Sequence, residues 1–149
     1  MHNSEVNSMG LIYADIELIN AADIEFAKKH YIGEEEIKRT WVSALVDSGA
    51  IMLTINDSLK EQLGLDVKET RTVQTADGRI MKLEVVGPIE VRFKNRRSLT
   101  QALVMPGENE VLLGAIPMED MDVVIHHSRQ ELIVHPYLAQ MKLKGWRVL

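Results

Sequence analysis

Asp47-Ser48-Gly49 is the stretch of this 149-residue chain whose residue types are best suited to chemistry. A carboxylate, a hydroxyl and a glycine follow directly on the apolar run Ala44-Leu45-Val46, and a second apolar run, residues 50–55, starts at Ala50. A strand that enters the interior and stops at an aspartate leaves that carboxylate half-buried at its end. Desolvation there favours the neutral acid, whereas the backbone amides of a turn favour the anion. If a second such carboxylate lies close by, the two cannot both ionise readily, so they share a proton and titrate as a unit. Such a pair can activate water. One carboxylate takes a proton as the water attacks a peptide carbonyl, and its protonated partner donates to the developing oxyanion.

Asp-Ser-Gly is also ordinary turn material, so its meaning depends on the elements that position it. Ile12, Ala14, Ile16 and Leu18 alternate with Tyr13, Asp15 and Glu17, which predicts a half-buried strand over 11–20. Residues 21–30 read as a short helix or irregular loop and Gly33 with three glutamates as an exposed turn, making 21–36 an insertion between strands. The next strand, 37–46, becomes continuously apolar as it reaches Asp47. After the run at 50–55, Asn56-Asp57-Ser58 precedes 59–63 and Gly64, a capped short helix with a glycine stop. Runs 67–74 and 80–86 flank Asp77-Gly78, and an Asp-Gly pair predicts a two-residue hairpin whose tip stands off the core.

Gly87-Pro88 breaks or bulges the chain before a strand at 89–93, and a further strand covers 99–105. Val111-Leu112-Leu113 is a short apolar strand followed by a tight backbone position at Gly114. Residues 117–121 make one helical turn at most, 122–125 and 132–134 two closing strands, and 137–143 a possible helix. At least eight short strands and little helix predict an all-β barrel or sandwich.

Composition excludes several classes. Hydrophobic residues make up 46% of the chain but aromatics only 5%, so one core must be filled by Val, Ile, Leu and the eight Met. A net charge of −5 argues against nucleic acid as a partner, and Lys94, Arg96 and Arg97 around Asn95 read as a solvated hairpin turn. Without cysteine there is no disulfide, thiolate ligand or Cys nucleophile, and the redox compartment is unconstrained. No apolar run approaches the roughly 18 residues of a membrane span and no basic leader opens the chain, so no membrane partner and a cytoplasmic location are expected. Residues 1–10 read as a polar tail. His126, His127 and His135 read as turn or surface histidines, and Glu119, Asp120 and Asp122 lack the spacing of a calcium loop, so neither metal nor cofactor is expected. Neither Ser48 nor Ser128 sits in a nucleophile elbow.

Three segments, Ala44-Leu45-Val46-Asp47-Ser48-Gly49-Ala50, Thr75-Ala76-Asp77-Gly78-Arg79 and Val111-Leu112-Leu113-Gly114-Ala115, together resemble the landmarks of the retropepsin-like aspartic proteases. The resemblance covers roughly residues 11–136 and implies a closed acid-protease barrel with one or two short helices. It implies that Asp47 is the catalytic carboxylate, that Ser48 braces the catalytic loop across a dimer interface, and that Gly49 brings a backbone N–H close to the carboxylates. Ala50 and the flap residues Thr75, Ala76, Asp77, Gly78 and Arg79, within a hairpin over 73–86, would contact substrate. Leu113 and Gly114 would lie beneath the catalytic loop. Pepsin-like enzymes carry two Asp-Ser/Thr-Gly motifs in one chain, whereas this chain has one, so a dyad requires a homodimer.

The tip Ala-Asp-Gly-Arg departs from the glycine-rich viral flap, and Ser48 replaces the commoner Thr. The insertion at 21–36 and the extension at 137–149 have no viral counterpart. The expected function is a homodimeric aspartic endopeptidase acting on peptide or protein segments. The alternative is a non-catalytic dimeric peptide-binding or assembly module on the same fold.

Overall fold

A computed structural model describes residues 10–107 and 109–135. The expected tail at 1–9, the helix at 137–143 and the extension at 137–149 lie outside the described residues.

Strand β1 (Tyr13–Asn20) alternates as its sequence predicts, with Ala14, Ile16 and Leu18 buried. It pairs antiparallel with β2 (Arg39–Val46) on one side, and its last four residues pair with β5 (Ile80–Phe93) on the other. From β2 the sheet continues through β7 (Leu112–Leu113), β3 (Leu53–Asn56) and β6 (Arg96–Met105) back to β5. Six strands therefore close in a ring, and β4 (Asp66–Gln74) hangs outside it on β5 alone. The main core fills the ring with aliphatic and Met side chains, among them Ile16, Leu53, Ile55, Val91 and Leu113, each fully buried.

Gly87-Pro88 does not break the strand. β5 runs through it as a bulge, with the β5–β6 register shifting between Val86 and Ile89. Before the bulge β5 pairs with β4, and after it with β1. Proline has no N–H to give a ladder, so the position suits a change of partner. β6 pairs with β5 on both sides of the bulge but only from Glu84 onward, so β4 lies outside the ring and the end of the β4–β5 hairpin before Glu84 overhangs it.

Among the described residues there are three α-helices, one more than the upper expectation. α1 (Ala21–Lys28) gives the ambiguous insertion a definite form: Asn20 Oδ1 accepts from the Asp23 N–H at 3.1 Å, capping it. The Asn20 Nδ2 also donates to Leu63 O at 2.8 Å, and Asp23 Oδ2 accepts the Lys38 N–H at 3.0 Å. Both residues are buried, so the insertion is fastened to the body at two polar points. α2 (Asp57–Leu63) has the predicted cap, Leu59 N–H to Asn56 Oδ1 at 2.9 Å, and the predicted stop, Gly64 at φ 59°. α3 (Ala115–Met121) is longer than the single turn expected, because it starts directly at Gly114 and buries Pro117, Met118 and Met121. A separate hairpin, β8 (Val123–His126) with β9 (Glu131–Val134), completes the described chain.

Candidate active site

The backbone around Asp47 is held from two sides. The Val46 N–H donates to Ile12 O at 2.8 Å, while Leu45 and Asp47 donate the opposite way, to Val111 O at 2.8 Å and Leu113 O at 3.0 Å. Alternate amides of a strand point in opposite directions, so β2 is clamped up to its last residue and the chain turns immediately after. The turn closes with Ala50 N–H to Asp47 O at 3.1 Å. Inside it, the Gly49 N–H donates to Asp47 Oδ1 at 2.9 Å. That is the only hydrogen bond made by this carboxylate among the described residues, and Oδ2 faces none. The side chain is half-buried, while Ser48 and Gly49 are exposed.

Leu113 and Gly114 pack beneath this loop. Leu113 is fully buried. A Cβ on Gly114 would lie 2.8 Å from Ala50 O and collide with Met52 O. The requirement is steric, not conformational, since Gly114 adopts φ −91°. The close approach lets Ala115 N–H reach Ala50 O at 2.8 Å and Ile116 N–H reach Ile51 O at 2.9 Å. The Asp47 loop and the start of α3 are thereby stitched together.

A cleft of about 480 Å³ opens beside the loop. Gly49, Ala50, Ile51 and Met52 form one wall, β4 supplies Arg71 and Val73, β6 supplies Thr100, Gln101 and Leu103, and Ile116 comes from α3. Ser48 lies instead on a separate concavity of about 260 Å³, with Ala115, Met118, Val124 and His127 among its walls.

The hairpin tip differs from the two-residue turn expected. Gly78 N–H donates to Thr75 O at 2.9 Å and Thr75 N–H to Arg79 O at 2.8 Å. Gly78 alone of the tip residues takes positive φ, at 86°. The result is a three-residue loop with glycine in the left-handed position, the form built on a type I turn. Asp77 is free to keep negative φ because its carboxylate does the holding. Oδ1 accepts from the Thr75 hydroxyl and, at 3.3 Å, from the Arg79 N–H, and Oδ2 accepts from Arg79 Nε at 3.0 Å. The Thr75 hydroxyl, followed by the Arg79 N–H, holds the Asp77 carboxyl below the ordinary aspartate range.

A family model for aspartyl proteases matches residues 36–116, more than half of the chain and a span that contains all three landmark segments. The chain belongs to the retropepsin-like aspartyl protease family. No curated protein matches it.

Among aspartyl protease positions, Asp47, Gly49, Ala50, Leu113 and Gly114 come together in one backbone knot. The tip residues Thr75, Ala76, Asp77, Gly78 and Arg79 do not border the 480 Å³ cleft; Arg71 and Val73, nearer the base of the same hairpin, do. These two and Ile51, Met52 and Ile116 were not singled out from sequence. The available signal was alternation, since Arg71 and Val73 share one face of β4. His126 ends β8, its Nδ1 accepting the Arg129 N–H of the following turn at 3.2 Å. Among the described residues no helix is long and apolar enough to cross a membrane.

Proposed function

We propose that two copies of this chain pair about a twofold axis to form an aspartic endopeptidase, with Asp47 of each copy supplying one carboxylate of the dyad. The observation that carries this reading is the environment of Asp47. Its backbone is fixed by Leu113 and Ala50, one carboxylate oxygen is oriented by Gly49, and the other makes no hydrogen bond among the described residues. A carboxylate positioned in this way but left half-satisfied suits chemistry better than support. Because the chain contains a single Asp-Ser/Thr-Gly, the second carboxylate must come from another copy.

In the dyad, one carboxylate accepts a proton from the bridging water as the water oxygen adds to the peptide carbonyl carbon. The protonated partner hydrogen-bonds the carbonyl oxygen and transfers its proton as the tetrahedral species forms. Collapse of that species breaks the C–N bond, with a proton passing to the leaving amine. The overhanging β4–β5 hairpin would cover an extended substrate, whose main chain can pair with flanking backbone. Ser48 is exposed beside Asp47 and in such a dimer would meet the partner copy.

The test compares wild type with Asp47→Asn on a diverse peptide mixture between about pH 4 and 7, new termini being read by mass spectrometry. Wild type should generate termini that Asp47→Asn does not. Equal cleavage by both, or none by either, would contradict the enzyme.

A further inference from the structure

We infer that Arg71 makes the cleft selective for peptide segments carrying a large aliphatic side chain and, two residues away, a carboxylate. The inference rests on the reading of this cleft as a peptide site.

Arg71 is the one ionisable side chain among the described residues that line the cleft. Its apolar walls are Ile51, Met52, Val73, Leu103 and Ile116, and Thr54, Thr100 and Gln101 add uncharged polar groups. Ile51 is 70% exposed and Ile116 48%, so apolar surface is already presented to solvent next to the catalytic loop. An aliphatic side chain seated there would remove that surface from water.

The commitments of Arg71 explain why an acid should accompany it. Its Nε donates to Glu69, the neighbour two residues back on the same face of β4. One Nη1 hydrogen points to the Met52 sulfur at 3.4 Å. Thioether sulfur is a weak acceptor, so this contact is readily exchanged for a carboxylate, to whose two oxygens the planar fork can donate in bidentate fashion. The Met52 contact also places the guanidinium across the cleft, from the flap strand to the segment after the catalytic loop. In an extended peptide, residues two apart point the same way and lie about 7 Å from one another. One such pair can place its aliphatic member against Ile51 and Ile116 and its acid at Arg71.

The bland alternative is that Arg71 straps the hairpin to Met52, with Glu69 as an incidental surface pair. That role would affect every peptide alike and leave charge preference unmoved. The chain's net charge of −5 disfavours acidic peptides at long range. A preference for acid must therefore be local.

Matched peptides carry a leucine and, two residues away on either side, Glu, Gln or Lys. Cleavage is measured with wild type, Arg71→Glu, Arg71→Lys and Arg97→Glu. Binding is measured by fluorescence anisotropy with Asp47→Asn and with Asp47→Asn combined with Arg71→Glu. Wild type should favour Glu over Lys by about five- to tenfold, mainly through KM, with Gln between and the spread shrinking at high salt. Arg71→Glu should reverse the order and Arg71→Lys preserve it. Arg97→Glu, the same charge change at an exposed position near the start of β6, should leave it as in wild type. The same order should appear in binding to Asp47→Asn and reverse in the double variant. Cleavage or binding with the same order before and after Arg71→Glu, or no binding of any peptide, overturns the inference. Charge-ordered binding without Asp47-dependent cleavage would leave it standing and sink the protease reading. Asp47-dependent cleavage without charge order would do the reverse.

Discussion

Asp47 and Asp77 each accept a hydrogen bond from the backbone N–H two residues on, Gly49 at 2.9 Å and Arg79 at 3.3 Å, yet the two turns are held in different ways. Around Asp47 the bonds are long-range, reaching Leu113, Val111 and Ile12, and the carboxylate itself is almost uncommitted. Around Asp77 they are all local, within residues 75–79, and both carboxylate oxygens are occupied by Thr75 and Arg79. The first turn is made rigid by the fold so that its carboxylate is spared. The second stands on an exposed overhang and uses its carboxylate to hold its own shape. The same local device thus leaves the carboxylate largely available in one turn and commits it to bracing in the other.

That contrast can be broken most sharply with the two Asp→Asn variants. Asp47→Asn should lower kcat by about 10²–10⁴-fold, the usual worth of an acid–base group, whereas Asp77→Asn should leave chemistry intact and change KM by about threefold or less. Comparable losses in kcat would erase the distinction.

The two glycines sharpen the comparison on stability. Gly114→Ala drives a Cβ into the Ala50 and Met52 carbonyls and should cost about 1–3 kcal/mol of global stability, read as a fall in melting temperature. Gly78→Ala meets open space but must adopt φ 86°. Its cost, about 1 kcal/mol, should remain local to the hairpin. Faster amide exchange at 75–79 with an almost unchanged melting temperature is the expected result.

The smallest effect concerns acid. Asp77 titrates at its ordinary value in the unfolded chain and below it in the folded tip. The tip is therefore stabilised above the ordinary value, and that contribution fades as pH falls through the depressed folded value. Thr75→Val removes the largest cause and should move the Asp77 midpoint upward in an NMR titration of side-chain carboxyl shifts. An unmoved midpoint would show that the hydroxyl does not hold the acid.

The course of the chain around Asp47 and through α2 was legible because its signals are local or periodic: an apolar strand ending at Asp47, the Asn56 cap, the Gly64 stop and the Leu113-Gly114 pair. Less legible were features set by distant partners. α1 is decided by Asn20 and Asp23 reaching Leu63 and Lys38, which no local pattern reveals. The form of the Asp77-Gly78 turn followed side-chain bonds to Thr75 and Arg79 instead of the dipeptide's own preference. β5 passes through Gly87-Pro88 because it exchanges β4 for β1 there, a fact of topology. The cleft walls were hidden for the same reason, since Ile51, Arg71, Leu103 and Ile116 meet only when four separate segments assemble.

The central claim, half a dyad per chain, is tested most directly by subunit mixing. Wild type and Asp47→Asn are combined at fixed total concentration, allowed to exchange subunits, and assayed across the mixing ratio. If each active site needs Asp47 from both copies, activity should follow the square of the wild-type fraction, falling to about a quarter at equal parts. A linear decline, to about a half, would mean that one chain suffices and would contradict the account.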